Sequence, residues 1–244
     1  MTIDYFDDAR NLVRYARERL PQIEEAYNAS LSEREIKPKL LIEIKNFMEN
    51  LRSALDFTAH GLFRKYGASK ASNPRIYFPY APLNQPEAQF RKSRRINACI
   101  PGISTSRTDV AARIESYQHF ADPNNRWLPV FMELNNENKH QRLTPQIRKE
   151  TKELRISSGG ASISMGPGAS ISMGPGASIQ IGRLTIPGGQ SFDVNRPPKT
   201  IGPGKKEMIT WVSFHFSTNN EPVLPLLRQA IEGVDRIVRE LSAM

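Results

Sequence analysis

Two short lines of polar residues could do chemistry in this chain. In the stretch Leu134-Asn135-Asn136-Glu137-Asn138-Lys139-His140, Asn136 and His140 stand four apart with Lys139 beside them. Helical residues three and four apart share a face, so an amide, an imidazole and an ammonium can address one ligand. Phosphate suits the set: Lys139 and protonated His140 supply charge, and Asn136 supplies a directional donor. Arg142 follows two residues on. Earlier in the chain Arg52, Asp56 and His60 form a second line at steps of four. If the two lines face each other across a cleft, His140, Lys139 and Asn136 are the candidate catalytic group, and Arg52, Asp56, His60 and Arg142 hold the ligand. The alternative is structural: an Arg52–Asp56 ion pair within one helix, Asn136 and His140 satisfying helix-terminal carbonyls, and a solvated Lys139.

These lines need helices to carry them. From Asp4 to about Tyr27 the positions Phe6, Ala9, Leu12, Val13, Ala16, Leu20 and Ile23 recur at steps of three and four, which predicts an amphipathic helix, with Pro21 the place for a bend. A second helix is predicted from about Glu35 to Tyr66 through Leu41, Ile44, Met48, Leu51, Leu55, Ala59 and Leu62. It has Pro38 in its first turn and Gly67 as its stop. Residues 68–106 read as a long loop around Ile76-Tyr77-Phe78-Pro79, a candidate lid or binding loop. Short helices are expected after Thr108-Asp109 and after Asn124-Asn125. A last helix, from Pro222 to about Leu241, carries Leu224, Leu227, Ile231, Val234, Val238 and Leu241 on one stripe.

Between the last two helices the period changes from 3.6 to 2. Three eight-residue units follow one another: Gly160–Pro167, Gly168–Pro175 and Gly176–Arg183. In each, the Ala, Ile and Met or Ile positions are two apart and face one side of a strand, while Ser faces the other. Gly-Pro-Gly supplies the turns. The units are too short to be stable alone and are expected to form a meander or the rungs of a short solenoid, leaning on later strands or on another subunit. Those later strands are Leu184–Ile186, Ser191–Val194 and Met208–Phe216, the last being the richest in β-branched and aromatic residues. The expected architecture is α+β: an antiparallel helical bundle with an inserted antiparallel β segment. It divides into 1–155, a β-rich 156–217 containing the repeats, and a helix in 218–244 that packs back on the bundle.

The order of these elements, with Leu51-Arg52-Ser53-Ala54-Leu55-Asp56, Phe78-Pro79 and Leu134 to Arg142, resembles an uncharacterised bacterial family. That family shows a Leu-Arg-x-x-Leu-Asp helix, a Phe-Pro segment, an Asn-x-Asp-Lys-His-Arg motif, a β region and a final helix. Here Asn138 stands in place of Asp, and Gln141 shifts Arg142 by one position. The helical part of the family looks like the HEPN group of bundles, and the resemblance implies RNA binding or metal-independent RNA cleavage, in a toxin or in phage defence. HEPN ribonucleases carry Arg, four to six residues, then His. Arg113 and His119 fit that spacing, but six helical steps turn them about 120° apart.

Composition narrows the field. Among 244 residues, 39% hydrophobic, there is one cysteine, Cys99, which excludes an internal disulfide and fits a reducing compartment. Four scattered histidines argue against a zinc site, and no cofactor is expected. The start of the chain is acidic where a secretory signal carries positive charge, and no stretch reaches the roughly 18 apolar residues of a membrane span. The expected location is the cytoplasm, with no membrane partner. The net charge of +9 favours an acidic partner, and Arg91, Lys92, Arg94 and Arg95 crowd five positions. The bland reading of this charge is a solvated surface; RNA or a nucleotide is the expected ligand because the resemblance implies it. The alternatives are a noncatalytic assembly protein that pairs with its own copy through the bundle or the β repeat, and a small-ligand sensor.

Overall fold

The computed structural model describes residues 4–31, 37–68, 74–140 and 146–244, without the side chains of Asn138, Lys139, His140 and Trp211. Helix α1 spans Tyr5–Ser30 and α2 spans Pro38–Tyr66. The Asp4 carboxylate accepts from the backbone N–H of Phe6 and Asp7 at 3.0 and 3.2 Å, satisfying donors that a helix start otherwise leaves open. Pro38 sits in the first turn of α2, where its missing N–H costs nothing. The chain splits into two compact units, Met1–Ile147 with His215–Met244, and Arg148–Phe214.

In the first unit α1 and α2 pack on each other, and α8 (Val223–Ser242) packs on both, so the three long apolar stripes share one core. Ala9, Val13, Ala16 and Ile23 of α1 are buried with Leu51, Leu55, Ala59 and Leu62 of α2 and Leu227, Ile231, Val234 and Val238 of α8. Gly233 lets α8 close on the Trp127 indole, since a Cβ there would lie 2.0 Å from the ring. Ion pairs such as Arg17–Glu232 at 2.8 Å and Arg228–Glu24 at 2.6 Å cross the exposed seams. They are solvated and contribute little beside the apolar burial.

The expected long loop at 68–106 carries three short helices among its described residues. An extended run over 74–80 leads into α3 (Glu87–Lys92), α4 (Arg95–Cys99) and α5 (Ile103–Ser106), followed by α6 (Thr108–Ser116) and, after a 3-10 turn at Pro123–Arg126, α7 (Trp127–His140). Each of α3 to α5 is anchored by one or two buried residues, Phe90, Ile96 with Cys99, and Ile103. Helices of four to six residues show no repeat of the 3.6 period, so the pattern that reveals α1 and α2 is missing here.

The second unit is built on strands that form antiparallel ladders. Strand β1 (Gln146–Ser158) pairs β2 (Ala161–Met165) across the Gly159-Gly160 turn, with Ile156 opposite Ile163. It also neighbours β7 (Lys205–Phe216). The turns fall where the repeat places them. Ala169 and Ala177 donate to the carbonyls of Gly166 and Gly174 at 3.3 Å, with Gly168 and Gly176 at φ of 75° and 85°, the left-handed position that a Pro-Gly type II turn requires.

The pairing differs from a meander of repeats. Strand β3 (Ser170–Met173) pairs β6 (Gln190–Asp193), and β4 (Ser178–Ile181) pairs β5 (Leu184–Pro187), so each repeat strand takes a partner from outside the repeat. Leu154, Ile156, Met165, Ile181, Leu184, Ile186, Phe192 and Val194 form the core of this unit, with Ile163, Ile171, Met173 and Ile179 half-buried against it. The repeat alanines 161, 169 and 177 are exposed, so the covered face is narrower than the alternation implies.

Leu55 and Leu227 are both fully buried. Replacing either by Ala should cost about 2 to 5 kcal/mol in urea unfolding, the range for large-to-small changes in a core that cannot collapse around the cavity. A loss below about 0.5 kcal/mol at Leu227 would mean that α8 is not part of the common core.

Candidate functional site

One residue of each polar line meets the other, Arg52 of α2 and Asn136 of α7. The Arg52 guanidinium donates to the side-chain oxygen of Asn136, and the Asn136 amide nitrogen donates to the Tyr80 hydroxyl at 3.2 Å. On α2 the Asp56 carboxylate lies 3.8 Å from the Arg52 Nε and accepts from the backbone N–H of Phe78 at 3.0 Å. The Arg95 guanidinium sits over the Tyr80 ring, 6.0 Å from its centroid. The Arg52 and Asp56 side chains are 11% and 19% exposed, so water screens this pair less than the seam ion pairs. The Nε groups of Arg52 and Arg95 are buried and donate no hydrogen bond among the described residues.

Among the described residues, the run 78–81 ahead of α3 is held by side chains rather than by a sheet. Gln118, buried just beyond α6, accepts from the Ala81 N–H at 2.9 Å and donates to the carbonyls of Pro79 and Ile114 at 3.2 and 3.0 Å. With Asp56 holding Phe78 N–H, two polar side chains satisfy the backbone of a run that has no strand partner, and Tyr80 is thereby placed against Asn136.

Cys99 on α4 lies beside the cluster. Burial pushes its thiol up from its ordinary value; the Arg95 guanidinium opposes this shift and the Asp56 carboxylate adds to it. Among the described residues no group of three or more His, Cys, Asp or Glu side chains could hold a metal ion.

The remaining sequence-derived candidates divide. His60 goes elsewhere: its ring stacks on Tyr5 of α1, with centroids 5.3 Å apart and planes at 22°, because a further step of four along α2 has turned it toward the α1 seam. Lys139 and His140 belong to α7, but their side chains lie outside the described residues, as does all of Arg142. Arg113 pairs with Glu240 at 3.0 Å and lies over the Tyr117 ring, while His119 packs edge-on to Phe120 with its Nδ1 buried. The Arg-x5-His pair therefore has separate partners. Tyr80, Arg95 and Gln118 were not legible as site residues, although Arg95 belongs to the basic run and Tyr80 follows the Phe-Pro segment.

Beyond Arg95, helices α3 to α6 enclose a groove of about 820 Å³. Arg91, Arg94, Arg95 and the Glu115 carboxylate are among its lining groups. Comparison of the chain with known protein families, with characterised proteins and with solved structures finds no match.

Two outcomes follow from this geometry. Gln118→Leu should destabilise the protein by about 1 to 3 kcal/mol, because the Ala81 N–H is left buried without an acceptor; equal stability would show that water replaces the amide. Cys99 is 7% exposed and its raised pKa leaves little thiolate near pH 8, so iodoacetamide should label it slowly in the native protein and at the rate of a free thiol in denaturant. Rapid native labelling would contradict both the burial and the direction of the shift.

Proposed function

We propose that the helical unit binds RNA and that the cluster of Arg52, Asp56, Tyr80 and Asn136 marks where a phosphodiester is held and cut. The observation that carries this reading is the Arg52–Asn136 hydrogen bond, which joins the polar lines of α2 and α7. Lys139 and His140 follow Asn136 by three and four residues on α7. The HEPN-like element order and the net charge of +9 support the same ligand class, in a bacterial toxin or phage-defence component.

The chemistry asked of the site needs no metal. The ribose 2′-oxygen attacks the adjacent phosphorus, the bond to the 5′-oxygen breaks, a base takes the 2′ proton and an acid protonates the leaving oxygen, giving a 2′,3′-cyclic phosphate. An imidazole suits either proton transfer near neutral pH, and Arg52 and Lys139 supply cations for the charge that develops on phosphorus-bound oxygens.

His140→Ala should abolish cleavage of a single-stranded RNA in the presence of EDTA while leaving the melting temperature nearly unchanged. If the same variant instead loses about 1 kcal/mol of stability and retains RNA binding and cleavage, His140 is a helix-end residue and the proposed site is wrong. A second reading is pairing of two copies through the β unit, whose repeat strands of four or five residues are short for a free-standing sheet. Light scattering that gives a monomer mass across a hundredfold range of concentration would exclude it.

A further inference from the structure

The groove between α3 and α6 has features that the phosphodiester site does not use. Arg91 is neutralised within it, pairing with Glu87 at 2.8 Å and with Glu115. Arg94 and Arg95 form no ion pair among the described residues, and the Arg95 Nε is buried without an acceptor. A buried guanidinium N–H with no acceptor is costly, and an anion in the groove would supply what is missing, while Arg94 is exposed and open to the same ligand. Arg94 is moreover held at φ 49°, a left-handed conformation that is strained for a residue other than glycine.

We propose that this groove binds a phosphate monoester on an organic body of nucleotide size, with the phosphate on Arg94 and Arg95. Two guanidinium groups adjacent in sequence, with no carboxylate partner among the described residues, match the charge of nearly −2 that a monoester carries at neutral pH better than the −1 of a diester. Ser104 and Thr108 line the same groove and add hydroxyls for the remaining phosphate oxygens, while Ile96 and Ala112 supply an apolar wall for the body. The volume of about 820 Å³ lies within the usual range of small-molecule sites. Two sources carry this chemistry: a free nucleotide, or the terminal phosphate of an RNA strand. The second source rests on the RNA-binding reading and the first does not. Arg95 connects the groove to Tyr80, so a strand anchored by its terminal phosphate would run toward the Arg52–Asn136 cluster.

The test measures binding of AMP and of one short RNA prepared with a 5′-phosphate, with a 3′-phosphate, and with hydroxyls at both ends, to the full-length wild type and to Arg94→Gly. Glycine suits φ 49°, so the variant should melt at the wild-type temperature or above it. Tighter binding of a terminally phosphorylated RNA by roughly tenfold, lost in Arg94→Gly while the hydroxyl-ended RNA is unaffected, is the expected result for an RNA end. Binding of AMP that Arg94→Gly abolishes, with no RNA bound, assigns the groove to a free nucleotide and removes the RNA reading. RNA bound equally whatever its ends, with no AMP bound, overturns the groove proposal and leaves the RNA reading standing. Failure of every probe overturns both.

Discussion

Helix α2 has neighbours on several sides, with α1, α5, α7 and α8 all packed against it. On the faces so covered a polar residue cannot turn to water and must find a partner within the protein, while Lys39, Asn46, Arg64 and Lys65 lie on the exposed face. Thr58 donates to the Ala54 carbonyl one turn back at 2.8 Å. Arg52 reaches Asn136 on α7, and Asp56 takes the Phe78 N–H. The placement of the run around Phe78, and the register of α7 against α2, follow from satisfying these groups. Losing one partner would leave a largely buried charge uncompensated, which costs far more than the intact pair gains.

The same constraint explains why polar and charged groups gather here. A cluster that is partly dry and carries both signs of charge strengthens electrostatic interactions with anything that enters it. Its described members are tied to one another and to the backbone, so their orientation is fixed before a ligand arrives, the condition under which charge stabilisation is most effective. Arg95 extends the basic character from this cluster into the α3–α6 groove, where the guanidinium groups of Arg94 and Arg95 face no carboxylate partner among the described residues.

The β unit solves a different problem. Its repeat strands are four or five residues long and cannot bury enough surface by pairing among themselves. Pairing β3 with β6 and β4 with β5 brings Phe192, Leu184 and Ile186 over the repeat isoleucines, and these larger residues supply the core that Ala and Ser cannot. Where backbone crowds backbone, glycine is required: a Cβ at Gly182 would lie 2.1 Å from the Ser158 carbonyl oxygen.

The sequence by itself determined whatever depends on local periodicity. The stripes of α1, α2 and α8, the α+β order, the Gly-Pro-Gly turns and the shared face of Arg52 and Asp56 are all set by residues within a few positions of each other. Tertiary structure decided the rest. That Asn136 meets Arg52 across 84 positions depends on how α7 packs on α2. That Tyr80, Arg95 and Gln118 matter depends on single side chains reaching across loops, where no spacing gives a signal. His60 continued the sequence line yet left the cluster, because steps of four drift around a helix of 3.6 residues per turn until the side chain faces a different neighbour. The repeat likewise fixed where its strands begin and turn but not what they pair with, since a strand's partner is chosen by the apolar surface left uncovered elsewhere in the chain.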